Sequence, residues 1–143
     1  MIFEQQDIEG ESIADEKCRV YDPWNLKDRY TFSTAVRKGN MLFMSGITAS
    51  DPSTGKIVGE GDIVEQTRYI FEKVETILKS AGASFSDVVK TTEYIITTSN
   101  YNKTEQVRKQ YFGEQFPAAT GIVVSGLLRD KALIEIDVVA MVD

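Results

Sequence analysis

Histidine is absent from this 143-residue chain. That excludes Ser-His-Asp and Cys-His catalysis, and any metal site built on imidazole. Cysteine is nearly absent: Cys18 stands alone, so no intrachain disulfide can form, and it reads as an incidental thiol. Basic residues are outnumbered 16 to 22, giving a net charge of −6, and no run of Lys or Arg occurs. A nucleic-acid surface needs a basic patch, so none is expected. No apolar run approaches the ~20 residues of a membrane span, and the acidic start is unlike a signal peptide. These absences predict a soluble cytoplasmic protein with no membrane or nucleic-acid partner.

The length suits one domain with a core of its own, and 42% apolar with 27% charged residues is ordinary globular composition. Residues 1–29 stand apart as an acidic N-terminal extension, leaving 30–143 as the domain. The extension holds eight carboxylates (Glu4, Asp7, Glu9, Glu11, Asp15, Glu16, Asp22, Asp28) against four basic residues. It reads either as a solvated tail or as an arm. Ile2, Phe3, Ile8, Val20, Tyr21 and Trp24 give an arm enough apolar surface to pack on the body, with Tyr21 and Trp24 as its anchors.

From Tyr30 the hydropathy becomes periodic. Tyr30–Arg37 alternates like a strand, Lys38-Gly39-Asn40 makes a tight turn, and the apolar run Met41–Met44 suggests a strand buried on both faces. Asp62–Ala81 is a helix: Ile63, Ile70, Phe71, Val74, Ile77 and Leu78 share one face, Asp62 and Glu65 fit a capping box, and Gly82 marks the stop. Strand Val88–Thr97, helix Asn100–Phe112 and strands Gly121–Val124 and Leu133–Val142 complete a ββαβαββ order. That order predicts an α+β fold with two helices on one face of a mixed sheet. In the last strand Ile134, Ile136, Val138, Ala140 and Val142 form an apolar face. The opposite face mixes Leu133, Val139 and Met141 with Glu135 and Asp137, which suits a subunit interface containing a pocket.

Several short stretches carry a resemblance: Ser45-Gly46, Lys90-Thr91-Thr92, Phe116-Pro117-Ala118-Ala119-Thr120-Gly121 and Leu133–Ala140. Together they resemble the reactive-intermediate deaminase (Rid, or YjgF) family, over roughly residues 30–142. The resemblance implies a chorismate-mutase-like fold and a homotrimer, with small-molecule clefts between subunits and no cofactor or metal. It implies hydrolysis of enamines or imines.

Deaminating members carry an arginine that grips the substrate carboxylate where this chain has Ala119, which has no donor. The neighbouring Thr120 offers one hydroxyl. Arg129, on the loop before the last strand, is the nearby cation able to substitute, although a loop arginine is ordinarily just a surface charge. The family's first-strand tyrosine aligns with Phe32, with Tyr30 two residues earlier. Ser45 and Gly46 are retained, Ser45 being equally at home as a strand-end turn residue. Glu135 matches the family's functional glutamate and is the expected catalytic group, with a structural ion pair as the other account. Asp137 lies on the same face. Ser99-Asn100 reads as a helix cap or as a cleft-closing pair.

Two functions stay open. One is a divergent Rid-type deaminase or related hydrolase for a specialised metabolite, 2-aminomuconate-like compounds included. The other is a non-catalytic trimeric module that binds a small metabolite. The family's link to ribonuclease activity fits poorly with an acidic, histidine-free chain.

Overall fold

The alternation of the last strand organises the molecule, described here from a computed structural model over residues 19–143. Cys18 and the apolar Ile2, Phe3 and Ile8 of the expected arm lie outside the described residues. In chain order the elements are β1 (Arg19–Tyr21), β2 (Ala35–Lys38), β3 (Met41–Met44), α1 (Ile63–Ser80), β4 (Val88–Ile95), α2 (Glu105–Phe112), β5 (Ala118–Val123) and β6 (Ile134–Met141). Short 3-10 turns precede β4 and α2. The six strands form one sheet in the order β1-β2-β3-β6-β4-β5. Only β4 and β5 run parallel. This is the expected α+β mixed sheet with one more strand at its edge. That strand comes from the end of the acidic extension: Arg19, Val20 and Tyr21 pair with Arg37, Val36 and Ala35. Tyr21 and Trp24 pack against the core.

Ile134, Ile136, Val138, Ala140 and Val142 are all buried beneath the helices. α1 lays Ile63, Ile70, Phe71, Val74, Ile77 and Leu78 onto that face at helical spacing. The ring of Phe71 meets Phe85, Tyr111 and Phe112 at centroid distances of 6.0, 5.5 and 5.7 Å, which ties α2 to α1. Asp62 Oδ1 caps α1 by accepting from the Val64 and Glu65 amides, both at 3.1 Å. The expected return bond from Glu65 is not made; Glu65 pairs with Arg68 instead. At the other end Gly82 takes a left-handed φ of +73°. The Ala83 amide then reaches the Leu78 carbonyl at 2.8 Å and the Gly82 amide reaches that of Lys79 at 3.1 Å, a Schellman stop.

Four readings shift. Tyr30–Thr34 is bent rather than extended, and pairing begins at Ala35. The Ser45 hydroxyl donates to the Ser33 carbonyl at 2.6 Å, so a side chain takes the place of a ladder bond. β3 alternates instead of being buried on both faces: Leu42 and Met44 are buried, while Phe43 is 46% exposed on the open side. The second helix opens with a 3-10 turn over Tyr101–Thr104, and Asn100 adopts a left-handed backbone without capping it. β5 begins at Ala118, three residues before expectation, and all six of its residues are exposed.

One buried charge went unforeseen. Glu93 of β4 points toward the helices and is only 3% exposed. Arg108 of α2 meets it with a fork, Nε to Oε2 at 2.9 Å and Nη2 to Oε1 at 2.6 Å. The Tyr101 hydroxyl also donates to Oε1. Burial, reinforced by that bond, pushes the Tyr101 phenol up to about 12. Removing one partner of such a pair strands a charge in the core, whereas replacing both with apolar groups is often tolerated. Arg108→Met is therefore expected to destabilise the protein by about 3–5 kcal/mol. Glu93→Leu with Arg108→Met should recover most of that loss, as read by urea unfolding at fixed protein concentration.

Candidate active site

The open face of β6 and the chain leaving β3 build the site together. Past β3, Ile47 bridges to Ile136, each amide donating to the other's carbonyl, at 2.8 and 3.0 Å. This bridge sets Gly46 directly against Glu135. A Cβ built on Gly46 would stand 2.9 Å from Glu135 Cδ and would overlap Oε2. The backbone of Gly46 is not left-handed, so glycine is needed there for room rather than for conformational freedom.

Glu135 is half-buried, and its carboxyl is held above the ordinary range, first by burial and then by the neighbouring charge of Asp137. Asp137 accepts a bond from the Tyr94 hydroxyl at 3.2 Å. Among the described residues Glu135 has no hydrogen-bond or ion-pair partner. Two carboxylates on one strand face thus have different company, one anchored and one available for work.

Glu135 lines a cleft of about 970 Å³ with Tyr30, Phe32, Ser45, Gly46 and Arg129. Phe32 stacks on Tyr30, centroids 5.0 Å apart and planes 20° apart, so the pair sits on one side as expected even though the segment is not a strand. Ser45 is committed structurally through its bond to Ser33. Arg129 reaches in from the loop before β6: Nη2 donates to the Tyr30 hydroxyl at 3.1 Å and Nη1 to the Gly55 carbonyl at 3.3 Å. It is a cleft residue, not a free surface charge.

Ala119 and Thr120 are not in this cleft. They lie on β5, which the sheet order separates from β6 by β4. Ala119 sits opposite Thr91 in register, and the Thr120 hydroxyl accepts from Lys90 Nζ at 2.9 Å.

Lys73 was missed by sequence reasoning. It reaches from α1 under Trp24 to the Thr48 and Ser50 carbonyls, at 2.9 and 2.7 Å. It borders a smaller recess that also touches Arg129, Ser45 and Gly46. Burial, and then the charge of Arg129, lowers its amine to about 8. The available signal was its place beside Val74 on the apolar side of α1. Among the described residues no group of three or more carboxylate, thiol or imidazole side chains converges to hold a metal ion. No helix among them is long and apolar enough to cross a membrane.

Comparison with known proteins agrees with this architecture. A family model described as endoribonuclease L-PSP matches residues 25–142. A RutC family protein of Pyrococcus horikoshii is 43% identical over 109 residues, covering 76% of this chain and 85% of the relative. The human 2-iminobutanoate/2-iminopropanoate deaminase is 34% identical over 110 residues, covering 77% of this chain and 79% of that protein. A crystal structure of a Rid family protein of unknown function from Yersinia pestis superposes with a TM-score of 0.79 at 32% identity, covering 87% of this chain and 99% of that one. A match that runs from the bend before β2 to the end of β6, in sequence and in fold alike, makes this chain a member of the Rid/YjgF family.

Proposed function

We propose that this protein is a Rid-type hydrolase that cleaves the C=N bond of a small, specialised imine, or of the imine tautomer of an enamine, 2-aminomuconate-like compounds included. The observation that carries the reading is Glu135: a half-buried, unpartnered carboxylate of raised pKa, set over Gly46 in a cleft of metabolite size. As water adds to the iminium carbon, Glu135 accepts a water proton while the C–O bond forms. It returns that proton to the carbinolamine nitrogen; as the C–N bond breaks ammonia leaves, Glu135 takes the hydroxyl proton so that the carbonyl forms, and that proton passes to ammonia to give ammonium. The name of the human relative supports the reaction class. The endoribonuclease name of the family model finds less support here, because the chain is acidic and has no histidine.

The cytoplasmic working form in this reading is a homotrimer. Exposed Phe43, Ile122 and Met141 lie on the helix-free face of the sheet, which has no cover within one chain. In the trimer, β5 of a neighbouring copy closes the cleft, bringing Ala119 and Thr120 to its wall. One observation favours a second reading, a trimeric metabolite-binding module without turnover: Ala119 provides no donor at the position where the family's arginine grips substrate.

Sedimentation equilibrium is expected to give a trimer at micromolar concentration, and a monomer there would end the assembly proposal. Glu135→Gln should keep the trimer and cut ammonia release from the true substrate by ~100-fold or more. Wild-type turnover should fall as pH drops through the raised pKa of Glu135, because the base must be ionised. The same shift fixes a sign for stability. A carboxyl whose folded pKa is raised opposes folding once ionised, so Glu135→Gln should be at least as stable as wild type at pH 7. Ligand binding with no ammonia release from any imine tested would favour the binding module. Gly46→Ala should push the Glu135 carboxylate aside and lower kcat by ~10-fold or more while changing the melting temperature little, because what it displaces is the end of a flexible side chain.

A further inference from the structure

Arg129 lines the cleft, and Lys73 borders the adjoining recess that shares Arg129 and holds Asp51. Both of the Arg129 hydrogen bonds go to neutral acceptors, the Tyr30 hydroxyl and the Gly55 carbonyl. Among the described residues no carboxylate lies within ion-pair distance of it. Of the five guanidinium N–H groups, those two bonds leave most without a partner. Lys73 directs its donors to the Thr48 and Ser50 carbonyls and, at 3.4 Å, to the Ser50 hydroxyl. Asp51 draws its pKa upward less than burial and Arg129 push it down. Elsewhere on the rim, Glu60 is already paired with Lys131 at 2.6 Å. The cleft also holds Glu60, Asp130 and Glu135, so what marks Arg129 is its spare donors rather than the overall charge.

We infer that Arg129, oriented by Tyr30 and Gly55, is the substrate-carboxylate anchor of this protein, on the same protomer and in the same cleft as Glu135. The inference rests on the hydrolase reading and deepens it by assigning the residue that holds the carboxylate of a 2-imino acid, the class in the human relative's name. A planar guanidinium with donors to spare suits a carboxylate, which it takes in two parallel bonds. Gly55 turns the loop with a left-handed φ of +78° and offers its carbonyl to Arg129 Nη1. Phe32 and the fully exposed Leu128, both at the cleft, offer the apolar wall for the substituent. Ala119 on β5 then needs no charge, because the anion is held by Arg129 of the protomer that carries Glu135.

The test uses 2-oxobutanoate, the carbonyl counterpart of such an imine, which has no C=N bond to cleave. Isothermal titration calorimetry should show binding to wild type. Arg129→Ala should weaken it by at least about tenfold, and Arg129→Lys should not restore it, since an ammonium lacks the fork. Saturating wild type with 2-oxobutanoate should raise the Lys73 pKa, followed by NMR of the labelled amine. Binding should correspondingly weaken as pH rises through about 8, the value to which Lys73 is lowered. The charged or titratable groups facing Lys73 are Arg129, Asp51 and Tyr69, and only Lys73 changes charge in that window. Equal binding by wild type and Arg129→Ala, no binding by wild type, or an unmoved Lys73 pKa at saturation would each overturn the anchor. The two readings fail separately: an Arg129-dependent binder that hydrolyses no imine sinks the hydrolase, whereas imine hydrolysis with KM unchanged in Arg129→Ala sinks only the anchor.

Discussion

The two-residue repeat of β6 is the constraint on which the rest depends. Every second side chain from Ile134 to Val142 must be removed from water, and α1 and α2 supply the cover. The intervening residues are turned to the opposite side by the same geometry. That is how Glu135 and Asp137 come to stand on a helix-free face, in the middle of a sheet rather than on a mobile loop. A carboxylate fixed to the central strand has a backbone held on both sides, by β4 and by the Ile47 bridge. Its position is therefore as rigid as the core beneath it, which is what a water-handling group requires.

Much of this was legible in the chain. α1 announced itself through apolar spacing, an acidic cap and a terminal glycine, and β6 through strict alternation. Those are local signals, written within a few residues of where they act. The parts that were not legible join distant segments. Tyr30 and Arg129 are 99 positions apart, and Lys73 lies 23 and 25 positions from the carbonyls it bonds. The Glu93–Arg108–Tyr101 cluster is closer in sequence, but a 3-10 turn where a regular helix was expected sets which side chains reach Glu93. Phe43 misled because an unbroken apolar run does not distinguish two buried faces from one buried face and one that awaits a neighbour.

The site is built in two layers. Ser45-Gly46 and Glu135 sit on or beside the sheet, whose architecture is shared with the Rid relatives. Arg129, Lys73 and the Tyr30–Phe32 stack form a different layer, built from the loops and from α1 around that frame. These loops are tied to the core, since Ile47 and Ala49 are buried in it and Gln66 of α1 bonds the Gly59 and Lys131 carbonyls.

The contact between Gly46 and Glu135 has an evolutionary corollary. Two positions 89 residues apart occupy one volume, so neither is free to drift alone. A lineage that gains a methyl at 46 would have to turn the Glu135 carboxylate aside, or shorten the acid by a step such as glutamate to aspartate to keep it on the strand. The pair should therefore vary together among relatives, as a joint choice between a long acid over a bare backbone and a short acid beside a side chain. A relative that holds glycine here but no acid has kept the space and given up its occupant.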